Sequence, residues 1–351
     1  MSINLSHSGS KATIAGNPRK QRAPGSMTGR SKHGAIRKWF MAAEGVGEYI
    51  GGRFGHVRPG ENEPQWIYYS HAEFDGIGAF ADILRSRGID QFDLPKLRNC
   101  PAYPRILSAL RHWPRYFVRR HPLKWVPLEQ DLSARNGSHP PSAVAWHIFD
   151  EQITLRIRRD SRRIGITVNA LLLDSLTRAL RPFFEDPSAA MPWMIPVNLR
   201  GGVNQYRDTD NHTSYVAILV HPDESAVEIY HKIRKALALG EHWGNWYAAT
   251  LGHCIPHRMR ARMIAQGTAI SQWNVGAFSN LGEWDADKRI TSSDAVGSWL
   301  VCPPVLRTQM LGACCIIFQG RLGLTLQAHA ELTTHVATVR TWMNNWVAGV
   351  G

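Results

Sequence analysis

Seven consecutive residues, Ser70-His-Ala-Glu-Phe-Asp-Gly76, place an imidazole, two carboxylates and a hydroxyl within one short run. A histidine titrates near pH 6.5, so the neutral ring of His71 can take a proton from a hydroxyl or an amine at neutral pH. Asp75 falls four residues later, where a helical pattern begins; a carboxylate there is favoured by the helix dipole and can pair with an arginine to hold the loop. Gly76 allows a tight turn into that helix. His71 and Glu73 occupy alternate positions without a third ligand, so no metal site is expected. The chain has 16 histidines, and one at a strand end is ordinarily structural, so local chemistry leaves both readings of His71 open. No nucleophile elbow or phosphate loop accompanies it, and Gly45-Val-Gly-Glu-Tyr-Ile-Gly51 lacks the strand and spacing of a dinucleotide loop.

The flanking sequence supplies the elements that would position this run. Gln65 to Ser70 is rich in aromatic and β-branched residues, as a buried strand requires. Ile77, Phe80, Ala81 and Leu84 recur at helical spacing, and Gly88 supplies a stop. Ala35 to Ile50 reads as a short helix and Gly51 to Gly60 as a turn region. Farther on, strands are expected at Ala143–Phe149, Trp193–Leu199, Ser214–Val220, Trp273–Asn280, Ala295–Val301, Leu311–Phe318 and Leu322–Ala328, the last two joined as a hairpin through Gln319-Gly320. Helices are expected at Glu151–Arg163, Thr167–Leu180, from a cap at Asp223 to Gly240, and at Leu332–Val347. Strands and helices do not alternate strictly, which favours an α/β fold with mixed sheets over a parallel dinucleotide-binding fold.

The chain has 351 residues, 41 basic against 28 acidic, 44% hydrophobic, which excludes disorder throughout. No apolar stretch approaches the roughly 18 residues of a membrane span, and no leader is evident, so a cytoplasmic protein is expected. Five cysteines without a CxxC pair fit a reducing compartment and no structural zinc; Cys314 and Cys315 should face opposite sides of a strand. Residues 1–34 read as a disordered basic tail, 35–132 as a first half, 133–142 as a Pro/Ser/Gly-rich linker and 143–351 as a second half. Leu94 to Leu128 holds eight basic residues, no acid and five aromatic residues. Basic heads beside aromatic bodies suit an anionic lipid surface or ligand phosphates, which would make the protein peripheral at a membrane; a solvated connector is the plain alternative. Nucleic-acid binding lacks any recognisable signature.

The run at Ser70–Gly76 resembles the HHxxxDG motif of the chloramphenicol acetyltransferase-like superfamily, which includes condensation domains, plant acyl-CoA acyltransferases and bacterial wax ester synthase/diacylglycerol acyltransferases. Further similar segments follow in the family's order: Gly165-Ile-Thr-Val-Asn-Ala-Leu-Leu-Leu173, Ile195-Pro-Val-Asn-Leu-Arg200, Asn211-His-Thr-Ser-Tyr-Val216, Phe278-Ser-Asn-Leu-Gly282 and Gly320-Arg-Leu-Gly-Leu-Thr-Leu326. Together they cover roughly Trp66 to Gly351.

The resemblance implies two α/β halves forming a pseudo-dimer around a tunnel. An acyl-thioester donor, acyl-CoA or an acyl carrier protein, enters as co-substrate, and a small-molecule alcohol or amine acceptor meets it, with no permanently bound cofactor. His71 matches the catalytic histidine and Asp75 a structural, ion-paired aspartate, while Asn169, Ser279 and Asn280 match positions for substrate or oxyanion contacts. Three departures stand out. Ser70 replaces the first histidine, Ala170 replaces an aspartate, and only about 35 residues separate the tail from the motif. The first half is therefore shortened or completed by a second chain, and the arginine partner of Asp75 is unassigned. Ester formation from coenzyme A thioesters is the leading expectation. Carrier-protein-dependent condensation onto an amine and an inactive scaffold of the same fold are the alternatives.

Overall fold

The computed structural model describes residues 34–89, 92–95, 106–111, 123–128, 142–203, 205–269, 274–284 and 297–350. The basic tail and nearly all of the linker lie outside the described residues, as does most of the block from Leu94 to Leu128.

A short helix, α1 (Ala35–Glu44), leads into strand β1 (Gly51–Val57), which pairs antiparallel with β2 (Gln65–Ser70). The expected turn region at Gly51–Gly60 is thus mostly a buried strand. Its glycines are required by aromatic rings rather than by turn geometry. A Cβ on Gly51 would lie 2.3 Å from the Tyr49 ring, one on Gly52 2.5 Å from Tyr69, and one on Gly55 2.9 Å from Trp66. The rings lie where side chains would otherwise stand, so poor strand propensity is offset by cross-strand packing.

The other neighbour of β1 is β7 (Ser298–Cys302), about 240 residues later in the chain. The first sheet therefore has the order β2-β1-β7. Behind it, α2 (Gly76–Ser86) packs Ile77, Phe80 and Leu84 against Phe54, Trp284, Trp299, Cys314, Ile316 and Phe318. Gly88, at φ 75°, ends that helix.

The second sheet has six strands in the order β3-β9-β8-β6-β4-β5: β3 (Val144–Ile148), β4 (Met191–Asn198), β5 (Thr213–Val220), β6 (Asn274–Trp284), β8 (Gln309–Phe318) and β9 (Arg321–Ala328). Only β4–β6 and β6–β8 are parallel, so the sheet is mixed. The face opposite α2 is covered by α5 (Val168–Leu180) and α9 (Val336–Val350), through Leu172, Leu173, Leu176, Trp342 and Trp346. Cys314 lies in the core against α2 and Cys315 in the core on the opposite face, as their adjacency in a strand requires. In the β8–β9 turn, Gln319 and Gly320 both have positive φ, at 49° and 78°, as a two-residue hairpin demands.

The remaining α-helices among the described residues are α3 (Ile106–Leu110), α4 (Glu151–Arg163), α6 (Ala226–Ala238), α7 (Glu241–Leu251) and α8 (His257–Ala269). The sequence reading names neither α7 nor α8; in α7, Trp243, Trp246 and Tyr247 read equally well as strand residues. The cap of α6 is Ser225, in a reciprocal box with Glu228, in place of Asp223.

The loop between β4 and β5 lies directly on α2. A Cβ on Gly78 would come within 2.0 Å of the Thr209 carbonyl oxygen, so this position holds only glycine without displacing backbone. Gly78→Ala is expected to destabilise the fold by about 1–3 kcal/mol, measured as a lowered urea midpoint at unchanged slope.

Candidate active site

Asp75 is the N-cap of α2, and its carboxylate also joins that helix to the residues between and beside β4 and β5. Oδ1 accepts from the Gly78 N–H (2.7 Å) and from Arg200 Nη2 (2.7 Å). Oδ2 accepts from Arg200 Nη1 (2.8 Å), the His212 N–H (2.8 Å) and Thr213 Oγ1 (3.2 Å). Arg200, at the end of β4, is the arginine that the sequence leaves unassigned. Its guanidinium also donates to Asn198 Oδ1 (3.2 Å) and to the carbonyls of Asp208 (3.0 Å) and Asp210 (3.1 Å). All five of its N–H donors are therefore used. Both side chains are almost fully buried, at 5% and 1% exposure, and a buried pair is tolerable only when its remaining donors and acceptors are satisfied in this way.

This pair fixes the loop that carries His71. Ser70 ends β2: its carbonyl accepts from the Glu73 and Phe74 N–H groups and its Oγ from the Ala72 N–H (3.3 Å), closing a tight turn. His71 Nδ1 lies 2.7 Å from the Phe74 carbonyl. A carbonyl can only accept, so the proton sits on Nδ1 and the lone pair on Nε2. The ring stacks on Phe40 of α1 at 5.0 Å and meets Tyr69 edge-on at 6.3 Å. Burial lowers the His71 pKa below its ordinary value, against the opposing effects of the Phe74 carbonyl and the Asp75 charge. The ring is therefore neutral at physiological pH, poised as a proton acceptor.

Asn211, which the sequence shows only as the first residue of a family-like strand, completes the brace. Its Nδ2 donates to the His71 carbonyl (3.2 Å) and approaches Nδ1 at 3.4 Å, while its Oδ1 accepts from the Thr213 N–H (3.0 Å) and so fixes the amide's orientation. Gly76 has no positive φ, and an added Cβ would meet Leu281 Cδ1 at 3.4 Å, close to an ordinary contact, so the expected sharp turn does not demand glycine there.

The other sequence-derived candidates separate across the large sheet. Ser279 pairs in register with Cys314 and so shares the face covered by α2. Asn280 pairs with Cys315 on the opposite face, where Cys315 Sγ lies 3.9 Å from Asn169 Oδ1. Asn280 Oδ1 accepts from the Gly282 N–H at 2.7 Å and forms a local turn. Of the three, Ser279 alone lies on the motif's side of the sheet. Among the described residues no cluster of His, Cys, Asp or Glu is arranged to hold a metal ion.

Asp75→Asn leaves the Arg200 charge buried against a neutral group, and a loss of about 3–5 kcal/mol of stability is expected in chemical denaturation. Asp75→Leu combined with Arg200→Met removes both charges and should recover part of that loss; a double variant as unstable as the sum of its singles would contradict this account.

No family model matches the sequence, and no curated protein matches it. Solved structures match it in fold. The epimerization domain from the third module of tyrocidine synthetase B superposes with a TM-score of 0.51 at 13% identity, over 81% of this chain and 67% of that one. A nonribosomal peptide synthetase cyclization-docking bidomain from Sorangium cellulosum gives 0.52 at 15% identity, over 82% of this chain and 60% of that one. Trichothecene 15-O-acetyltransferase from Fusarium sporotrichioides gives 0.53 at 10% identity, over 85% and 70%. The chain thus spans 60–70% of the length of these three structures. At such identities the likeness is one of fold, and the chain has the two-halved condensation-domain, chloramphenicol acetyltransferase-like fold that the run at Ser70–Gly76 implies.

Proposed function

We propose that this protein transfers an acyl group from a thioester donor to a hydroxyl or amine acceptor, with His71 as general base. The observation that carries the reading is the fixed tautomer of His71, with Nδ1–H held by the Phe74 carbonyl and the lone pair on Nε2. Nε2 takes the acceptor's proton as its oxygen or nitrogen attacks the thioester carbonyl, and a tetrahedral oxyanion forms. Collapse breaks the carbon–sulfur bond, and the imidazolium returns the proton to the leaving thiolate. No acyl-enzyme is needed. Ser279, which shares the motif's side of the sheet, is our first candidate for oxyanion contact; Asn169 and Asn280 lie on the other face.

Ester formation from acyl-CoA is the first form of this reading, and the acetyltransferase among the fold neighbours supports it. Condensation onto an amine from a carrier-protein thioester is the second, supported by the neighbours drawn from nonribosomal peptide synthetases. Retention of a base in the correct tautomer argues against an inactive scaffold.

Free-thiol release from short, medium and long acyl-CoAs with mixed alcohols and amines tests the first form, and acyl-loaded carrier protein tests the second. His71→Ala should abolish turnover while the protein still folds, with circular dichroism unchanged and the melting temperature only moderately lowered. Release that continues at the parent's rate in that variant would remove His71 from the chemistry. The pH profile follows from the lowered pKa of His71. The base is active in its neutral form, so the rate should be flat through neutrality and fall only below about pH 6.5.

A further inference from the structure

Four helices that pack on one another share an unusual composition. α1 contacts α7 and α8, and α3 contacts α7, which itself packs against β5, the outermost strand of the large sheet. They derive from three stretches without a single acidic residue, 1–43, 94–128 and 242–282, apart from Glu44 at the end of α1 and Glu241 at the start of α7. Glu241 is buried. Burial also raises the pKa of Glu44, with the Glu73 charge adding to the effect.

The exposed side chains of this layer include Glu44, Thr250 and Gln266 but are mainly apolar and cationic. Among the described residues, six of the eleven large exposed hydrophobic residues belong to it: Met41, Ile106, Leu107, Leu251, Met259 and Met263, between 44% and 84% exposed. Surface hydrophobic residues are ordinarily scattered singly, so their concentration on contiguous helices marks an interaction face. Arg111, Arg258 and Arg262 are exposed beside them and have no acidic partner among the described residues. No helix among the described residues is long and apolar enough to cross a membrane, so insertion is confined to side chains.

The geometry points to this four-helix layer as a docking face for an anionic lipid bilayer. Apolar side chains of leucine, isoleucine and methionine enter the boundary between headgroups and acyl chains, while the arginines meet lipid phosphates. A polynucleotide would use the arginines and leave the six apolar side chains unexplained.

The test is co-sedimentation of the full chain with vesicles of phosphatidylcholine alone and of phosphatidylcholine with one third phosphatidylglycerol. Two double variants, Leu107→Asp with Met259→Asp and Arg258→Glu with Arg262→Glu, are run beside a control pair on α4, Arg156→Glu with Arg159→Glu. All six positions are exposed, so circular dichroism should be unchanged. Binding to anionic vesicles that weakens with salt is expected, reduced at least about tenfold in each layer variant and less than about twofold in the control. Undiminished binding in the layer variants, an equal loss in the control, or no binding to anionic vesicles would overturn the proposal. So would salt-sensitive binding to a single-stranded polynucleotide in place of vesicles.

Discussion

The arrangement of the site depends on one buried ion pair. Asp75 caps the helix that follows the motif, and Arg200 lies just past the end of β4 in the large sheet, so their bidentate contact ties α2 to the loop that leaves that sheet. Isolated in a protein interior, either charge would cost several kcal/mol. Here each oxygen of the carboxylate and each N–H of the guanidinium has a partner, and three of the six partners outside the pair are main-chain groups of the loop between β4 and β5. The pair therefore fixes backbone as well as side chains, and Gly78 permits the close approach that brings the loop onto α2.

His71 inherits its geometry from that constraint. Its ring is held by the Phe74 carbonyl within its own loop and by Phe40 from the helix that precedes the first sheet, and its main-chain carbonyl is held by Asn211 from the large sheet's side. Preorganisation of this kind matters for a general base because a misplaced imidazole loses catalytic efficiency steeply. The residues that brace the ring are spread over three separate parts of the sequence.

That spread explains what the sequence does and does not disclose. The helix over Ile77–Leu84 and the strands around Trp193, Ser214 and Leu311 are legible because their apolar periodicity coincides with their burial. His71 and Asp75 stand out because their spacing matches a known motif. Arg200 and Asn211 are present in family-like segments, but their roles come from tertiary contact, which periodicity does not carry. The glycine-rich strand β1 reads as a turn because the rings that occupy its missing side-chain positions come from other segments, Trp66 and Tyr69 from the neighbouring strand and Tyr49 from just upstream. Helix α7 is hidden for a related reason: aromatic residues are weak helix formers, and their packing against the sheet overrides that preference.

The placement of β7 bears on biogenesis. The hairpin of β1 and β2 emerges from the ribosome early, yet the strand that covers the other edge of β1 ends at Cys302. At about 5–20 residues per second, that edge remains unpaired for on the order of ten to fifty seconds of synthesis. An open edge flanked by aromatic residues is a template for unwanted pairing. The nascent chain therefore has a long interval in which a chaperone is needed, and truncation before β7 should leave an aggregation-prone fragment rather than a folded half.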